Sequence, residues 1–264
     1  MNSQGPQFLE AKVNTVRSFN GFLDGENRPS HPLNVFLEVS NLCNMSCFMC
    51  VLFSSLNQNR TSDITARERG LLQFKDTTEK MANLAPGLLS VHLFGYGEPT
   101  IHPQFRSFVE FFGKHEVMID FFTNGMNLDL DMARFLVEQN VFNVTFSFSG
   151  ATREEYENVY LGGKFDTVVA SMKNLAAEKI RQNKSYPKIS VNSIAFQHHV
   201  DRFDEFVDFM TGNGVNEISV KPLQEYGNKI EELQGHSATF KAEKEQAVLA
   251  RALAKARSVG SSIW

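Results

Sequence analysis

The chain has 264 residues, 42% of them hydrophobic and 21% charged, with a net charge of −4. That length suffices for one large α/β domain with a sizeable core, and the composition is that of an ordinary globular protein. The slight acidity argues against a broad nucleic-acid footprint, no apolar run approaches the roughly 20 residues of a membrane span, and Met1 to Gln7 lacks the basic-then-apolar start of a secretory signal. A cytoplasmic protein with no nucleic-acid or membrane partner is therefore expected.

Residues 1–33 are polar and read as an N-terminal extension packing outside the main domain. A strand over 34–40 feeds directly into Cys43-Asn-Met-Ser-Cys47-Phe-Met-Cys50. The polar stretch 57–69 reads as a loop and 74–84 as a helix. The second strand, 88–94, ends in Gly95-Tyr96-Gly97-Glu98-Pro99. Phe105, Phe108, Phe111 and Phe112 then recur at helical spacing over 103–114. A third strand, 117–122, ends at Thr123-Asn124-Gly125, and a helix follows over 128–139. The fourth strand, 141–148, ends at Ser149-Gly150; helices over 152–159 and 165–181 flank Gly162-Gly163. The fifth strand is 189–196, the next helix 201–211 and the sixth strand 217–221. A polar loop over 225–237 precedes an Ala-, Lys-, Glu- and Arg-rich helix over 239–258.

Six strands alternating with helices build a parallel sheet by right-handed crossovers. The expected fold is α/β, a partial (β/α)6 TIM-like barrel over 34–223, with the N-terminal extension before it and a C-terminal loop and helix over 224–264. The strands read as near-continuous apolar runs, as expected when helices cover one face and a packed interior the other. The abrupt apolar end at Ile263-Trp264 leaves two readings: a bare core domain, or a piece cut ahead of a further domain. The second is preferred.

All three cysteines lie within eight residues. An odd, clustered set is a poor disulfide framework and reads as metal-binding or catalytic. Three thiolates can hold three corners of an iron–sulfur cube, leaving the fourth iron open for a cofactor or substrate. A zinc site would need a fourth ligand, and no fourth cysteine exists. The loop also follows a strand, and active sites of α/β sheets lie at the carboxyl ends of strands.

CxxxCxxC after the first strand and Gly97-Glu98-Pro99 after the second closely resemble the radical S-adenosylmethionine (SAM) superfamily. The resemblance covers about residues 34–223 by domain-scale reading. It implies a [4Fe–4S] cluster on Cys43, Cys47 and Cys50, with SAM on the open iron. It implies reductive cleavage of SAM to a 5′-deoxyadenosyl radical that abstracts hydrogen from a peptide or small polar metabolite. An electron donor such as flavodoxin or ferredoxin is implied as well. By the same resemblance Met49 lies near the adenine and Gly97 and Glu98 meet the SAM amino group. Asn124 and Ser147 serve the ribose, with Thr123 and Ser149 beside them, and Asn192 faces SAM from the fifth strand.

The run from Ser147 to Thr152, with Tyr156 and the paired glycines, resembles the SPASM/twitch branch, whose auxiliary-cluster cysteines are absent here. Ser149 stands where that branch often has an acid, and Tyr160 where some members have an arginine; Lys164 is a candidate substitute. Glu38, His92, Asn192 and Lys221 interrupt otherwise apolar strands, where a polar group is costly unless paired or wet. Each is either a substrate contact or a structural partner, Glu38 with Lys221 for instance. His198-His199 reads as surface loop. No catalytic proton donor is named. The competing readings are an iron–sulfur electron carrier without SAM chemistry and a zinc-stabilised interaction module.

Overall fold

The computed structural model describes residues 5–25, 28–56, 70–223, 236–238, 240 and 242–264. The predicted loop at 57–69, most of that at 225–237, and positions 239 and 241 of the predicted last helix lie outside the described residues. Among the described residues no helix is long and apolar enough to cross a membrane.

The strands are β1 (Asn34–Phe36), β2 (Ser90–His92), β3 (Met118–Thr123), β4 (Asn143–Ser147), β5 (Lys188–Ala195), β6 (Glu217–Pro222) and β7 (Ser262–Ile263). The helices are α1 (Gly5–Leu23), α2 (Phe74–Met81), α3 (Phe105–Lys114), α4 (Leu130–Glu138), α5 (Arg153–Val159), α6 (Phe165–Arg181), α7 (Phe203–Gly212) and α8 (Glu243–Ser258). These seven strands, the ones among the described residues, are all parallel and lie in sequential order. Sequential order means that every crossover steps the same way, and one handedness then puts all the helices on one face. The sheet must curl around the other face, which is the geometry of a barrel. The (β/α) class is as expected, and a seventh strand joins the six read from the sequence. Ser262 and Ile263 pair with Glu217 and Ile218, so the abrupt apolar end at Ile263-Trp264 belongs to the sheet.

The helix-facing residues form the core. Val91, Phe121, Val144, Phe146, Ile189, Val191 and Ile218 are all fully buried there. Phe105 of α3 meets Phe121 edge-on at 5.0 Å. The alternate residues face inward, and here the expectation of a packed apolar interior fails. Ser90, His92, Asp120, Asn143, Thr145, Ser147, Ser190 and Asn192 share that face by the two-residue pleat period. Short polar residues read as scattered interruptions because each strand is short and its outward half is strongly apolar.

The N-terminal extension contains α1, which packs beneath the sheet. Lys12 Nζ donates to the Leu88 carbonyl at 2.5 Å just before β2, and Phe8 lies edge-on to His115. The start of α5 is fixed by a capping box. Thr152 Oγ1 accepts from Glu155 N, and Glu155 Oε2 accepts from Thr152 N at 3.1 Å. Gly150, immediately before, has φ +94° and no room for a β-carbon against Glu155, so a glycine is required to turn from β4 into α5.

Candidate active site

The cysteine loop leaves β1 at the carboxyl end of the sheet and is held by backbone hydrogen bonds. Ser46 N donates to Leu161 O at 2.9 Å and Phe48 N to Val159 O at 2.8 Å, pinning the loop to the end of α5. Cys50 N closes a tight turn onto Cys47 O at 3.0 Å. All three cysteines are free and half-buried. Two sulfurs already receive N–H donors: Cys50 Sγ from Phe53 N at 3.3 Å, and Cys43 Sγ from Asn124 Nδ2 at 3.9 Å. Burial pushes the Cys43 thiol up to about 11 and raises Cys47 as well, with the neighbouring thiols adding to the effect on Cys47. A bound metal reverses that preference by taking the thiolate.

A cavity of about 360 Å³ opens beside the loop, within the size range of small-ligand sites. It brings together every site residue read from the sequence: Cys43, Cys47, Cys50, Met49, Gly97, Glu98, Asn124, Ser147 and Asn192. Phe94, Phe122 and Ile194 supply apolar wall. Tyr160 also lines it, whereas Lys164, the candidate substitute for a missing arginine, is exposed outside it.

The structure gives two of these residues a job in holding the site together. Glu98 is 3% exposed, and its carboxylate accepts four hydrogen bonds. Oε1 receives Thr100 N at 3.1 Å, Thr100 Oγ1 at 2.5 Å and Thr123 Oγ1 at 2.8 Å; Oε2 receives Asn124 N at 2.6 Å. Burial raises the Glu98 pKa, and these donors pull against the rise. Gly97 is tight against the cysteine loop itself. A β-carbon there would stand 2.4 Å from Ser40 O and 2.5 Å from Leu42 O, both backbone. The next residue's N–H donates to Leu42 O at 2.8 Å.

Asn124 is likewise engaged. Its Nδ2 donates to Asn44 Oδ1 at 2.6 Å, and its Oδ1 accepts from Met126 N at 3.0 Å. Ser149 is fully buried behind the cavity, where its hydroxyl meets Tyr160 OH at 3.1 Å and accepts from Ile194 N at 2.8 Å. Ser147 and Asn192 are different. They are register partners on β4 and β5, line the cavity, and make no side-chain hydrogen bond among the described residues. They are the polar side chains free to receive a ligand.

The interrupting polar residues separate on inspection. Glu38 Oε1 accepts from Tyr96 N at 2.6 Å, and the Lys221 ammonium lies 4.3 Å from the centre of the Trp264 ring rather than on Glu38. His92 pairs with Asp120 at 2.6 Å. His199, read as surface, is buried, and neither ring nitrogen has a hydrogen-bond partner among the described residues, which corrects that expectation. The 3-10 segment Gln197–Arg202 brings its ring edge-on to Phe196 at 5.5 Å, a local packing that residue type does not disclose.

The donor set fits a cluster. Three free thiols from one loop line the same cavity. In a cubane each thiolate binds a different iron, and three thiolates leave the fourth iron open. The Radical SAM superfamily matches residues 37–210, well over half of the chain. This chain belongs to the radical SAM superfamily. Its members bind a [4Fe–4S] cluster and SAM.

Among relatives of this radical SAM chain, mycofactocin maturase MftC of Mycobacterium tuberculosis is 26% identical over 183 residues, covering 69% of this chain and 43% of MftC. The tungsten-containing aldehyde ferredoxin oxidoreductase cofactor-modifying protein of Pyrococcus furiosus is 26% identical over 197 residues, 72% of this chain and 51% of its own. The chain thus spans about half the length of the curated relatives it matches. In fold it is similar to Streptococcus suis SuiB bound to precursor peptide SuiA, with a TM-score of 0.68 at 16% identity, over 96% of this chain and 53% of SuiB.

Proposed function

We propose that this chain performs [4Fe–4S]-dependent reductive cleavage of SAM and directs the resulting radical at a peptide. One observation carries the reading: three free cysteines and two uncommitted polar strand-end residues, Ser147 and Asn192, line the same cavity. When bound, the reduced cluster and SAM together supply a 5′-deoxyadenosyl radical that abstracts hydrogen from the substrate. Cys43, Cys47 and Cys50 hold the cluster. Ser147 and Asn192 hydrogen-bond the ribose, and Met49 packs near the adenine. Gly97 lets the turn after β2 seat against the cysteine loop. Glu98 would receive the SAM amino group while fixing Thr123 and Asn124. Asn124 acts through Asn44 and Cys43 on the shape of the loop. Phe94, Phe122 and Ile194 exclude water.

The peptide is favoured by two likenesses, to a maturase and to a protein seen with its precursor peptide bound. A small polar molecule is the second reading, favoured by the likeness to a cofactor-modifying protein. The catalytic barrel is placed over 34–223, with 1–33 as an extension and 224–264 as a tail that contributes β7. The electron comes from a flavodoxin or ferredoxin, in the cytoplasm.

Anaerobic reconstitution followed by electron paramagnetic resonance tests the reading. The expected result is about four irons per chain and a reduced-cluster signal that shifts on adding SAM. A cluster whose signal ignores SAM overturns it in favour of an electron carrier.

A further inference from the structure

Beneath the cofactor cavity the inward face carries a second polar constellation. Phe36, His92 and Asp120 are successive register partners across β1, β2 and β3. His92 Nδ1 meets Asp120 Oδ2 at 2.6 Å, and His92 Nε2 meets Ser90 Oγ at 3.3 Å. Ser90 Oγ in turn donates to Asn34 Oδ1 at 2.8 Å. Both ring nitrogens are thereby committed within the protein. Asp120 Oδ1 is not: it has no hydrogen bond among the described residues, and the carboxylate side chain is 19% exposed. The Phe36 ring stacks on the imidazole at 4.3 Å with 22° between planes, yet Phe36 is 67% exposed.

Stability does not account for this arrangement. A half-buried carboxylate–imidazole pair returns little beyond the cost of desolvating it, and an apolar pair of similar volume would serve the fold as well. An exposed phenyl ring on the concave face of a barrel also leaves apolar area in water that packing would otherwise remove. Together they present a flat apolar platform beside an acceptor that no described residue uses. Directly above, Phe94 and Phe122 stand two residues beyond His92 and Asp120 in the chain, with ring centres 4.6 Å apart, and both line the cofactor cavity. Two residues of strand rise about 7 Å. A ligand in contact with both layers would therefore be as long as a dipeptide or one extended side chain.

We propose that Phe36, His92 and Asp120 form a substrate-positioning site one strand layer below the cofactor cavity, which holds a peptide side chain bearing an N–H donor. The donor, an ammonium, guanidinium or carboxamide, meets Asp120 Oδ1, and the apolar part of the peptide lies on Phe36. His92 acts through Asp120, whose carboxylate it orients. This inference rests on the peptide reading above.

The test uses the reconstituted, SAM-loaded protein and a defined pool of short synthetic peptides covering every residue type. Retained peptides are identified by mass spectrometry, and the tightest is titrated against variants. Peptides with lysine, arginine or carboxamide side chains next to an apolar residue are expected. Phe36→Ala and Asp120→Asn should each weaken peptide binding about tenfold, the equivalent of ~1.4 kcal/mol. Phe36→Tyr should restore it, and iron content and SAM affinity should not change. Unchanged peptide affinity in Phe36→Ala and Asp120→Asn overturns the inference while leaving the peptide reading intact. If no peptide binds the wild type, the peptide reading fails and takes the inference with it. Should Asp120→Asn fold poorly, the exposed Phe36 decides alone.

Discussion

The Asn124 backbone N–H donates to Glu98 Oε2 across 2.6 Å, tying the end of β3 to the turn after β2. Replacing Glu98 by alanine strands four donors, among them two backbone N–H groups, all on buried residues. Each buried orphan costs about 1–3 kcal/mol. Glu98→Ala should therefore lower the melting temperature and the iron content together. A variant with unchanged melting temperature that had lost only SAM affinity would show that Glu98 acts on the ligand alone.

Gly97 makes a steric prediction. Its missing β-carbon leaves room for Ser40 O and Leu42 O, which are backbone atoms and cannot swing aside. Gly97→Ala should cost about 1–3 kcal/mol as overpacking and reduce cluster loading. Gly212, at the end of α7, has nothing within 4 Å of the same atom. Gly212→Ala should be neutral or stabilising by about 0.5–1 kcal/mol. Equal thermal shifts in the two variants would contradict the steric account.

Motifs were legible in this chain where chemistry restricts residue type. CxxxCxxC and Gly-Glu-Pro named residues that the fold does bring to one cavity, because strand ends of a parallel sheet converge. What each residue touches was not legible. Glu98 and Asn124 look like ligand contacts in sequence, yet most of their hydrogen-bonding capacity is used on protein groups, a partner choice that depends on turns packed 25 to 80 residues apart. The helix α1 was read only as a polar extension, since its apolar face is narrow and anchored by Lys12 and Thr15. The two residues of β7 carry no periodicity at all; they form a strand because β6 offers an edge.

Ser147 and Asn192 divide from Ser149 by what they already hold. Ser147→Ala and Asn192→Ala should leave melting temperature unchanged and weaken SAM binding severalfold, as a hydrogen bond of about 1 kcal/mol implies. Ser149→Ala removes the acceptor of Ile194 N and the partner of Tyr160 OH, so it should lower the melting temperature first. Calorimetry of SAM binding alongside thermal melts separates the two; the reverse pattern would contradict the assignment.

His199 sets a pH dependence. Burial pushes its imidazole down to about 4, neighbouring His198 and Arg202 push the same way, and Glu155 opposes them. In the unfolded chain the ring titrates near 6.5. Below that pH the unfolded state takes up a proton that the folded state refuses, so stability is present above 6.5 and is lost as pH falls toward 4. His199→Phe should flatten the melting-temperature profile over this window. It should be no less stable at pH 7, because two orphaned nitrogens are gone. Parallel profiles for wild type and variant would contradict the burial.

If SAM is cleaved in the cavity beside Cys43, Cys47 and Cys50, the reaction needs all three thiols. The most direct measurement is 5′-deoxyadenosine formed by the anaerobically reconstituted, chemically reduced chain, compared with Cys43→Ala, Cys47→Ala and Cys50→Ala. Product is expected from the wild type and none above background from any of the three variants. A four-iron wild-type protein that forms no 5′-deoxyadenosine, or a cysteine variant that forms it undiminished, would contradict it.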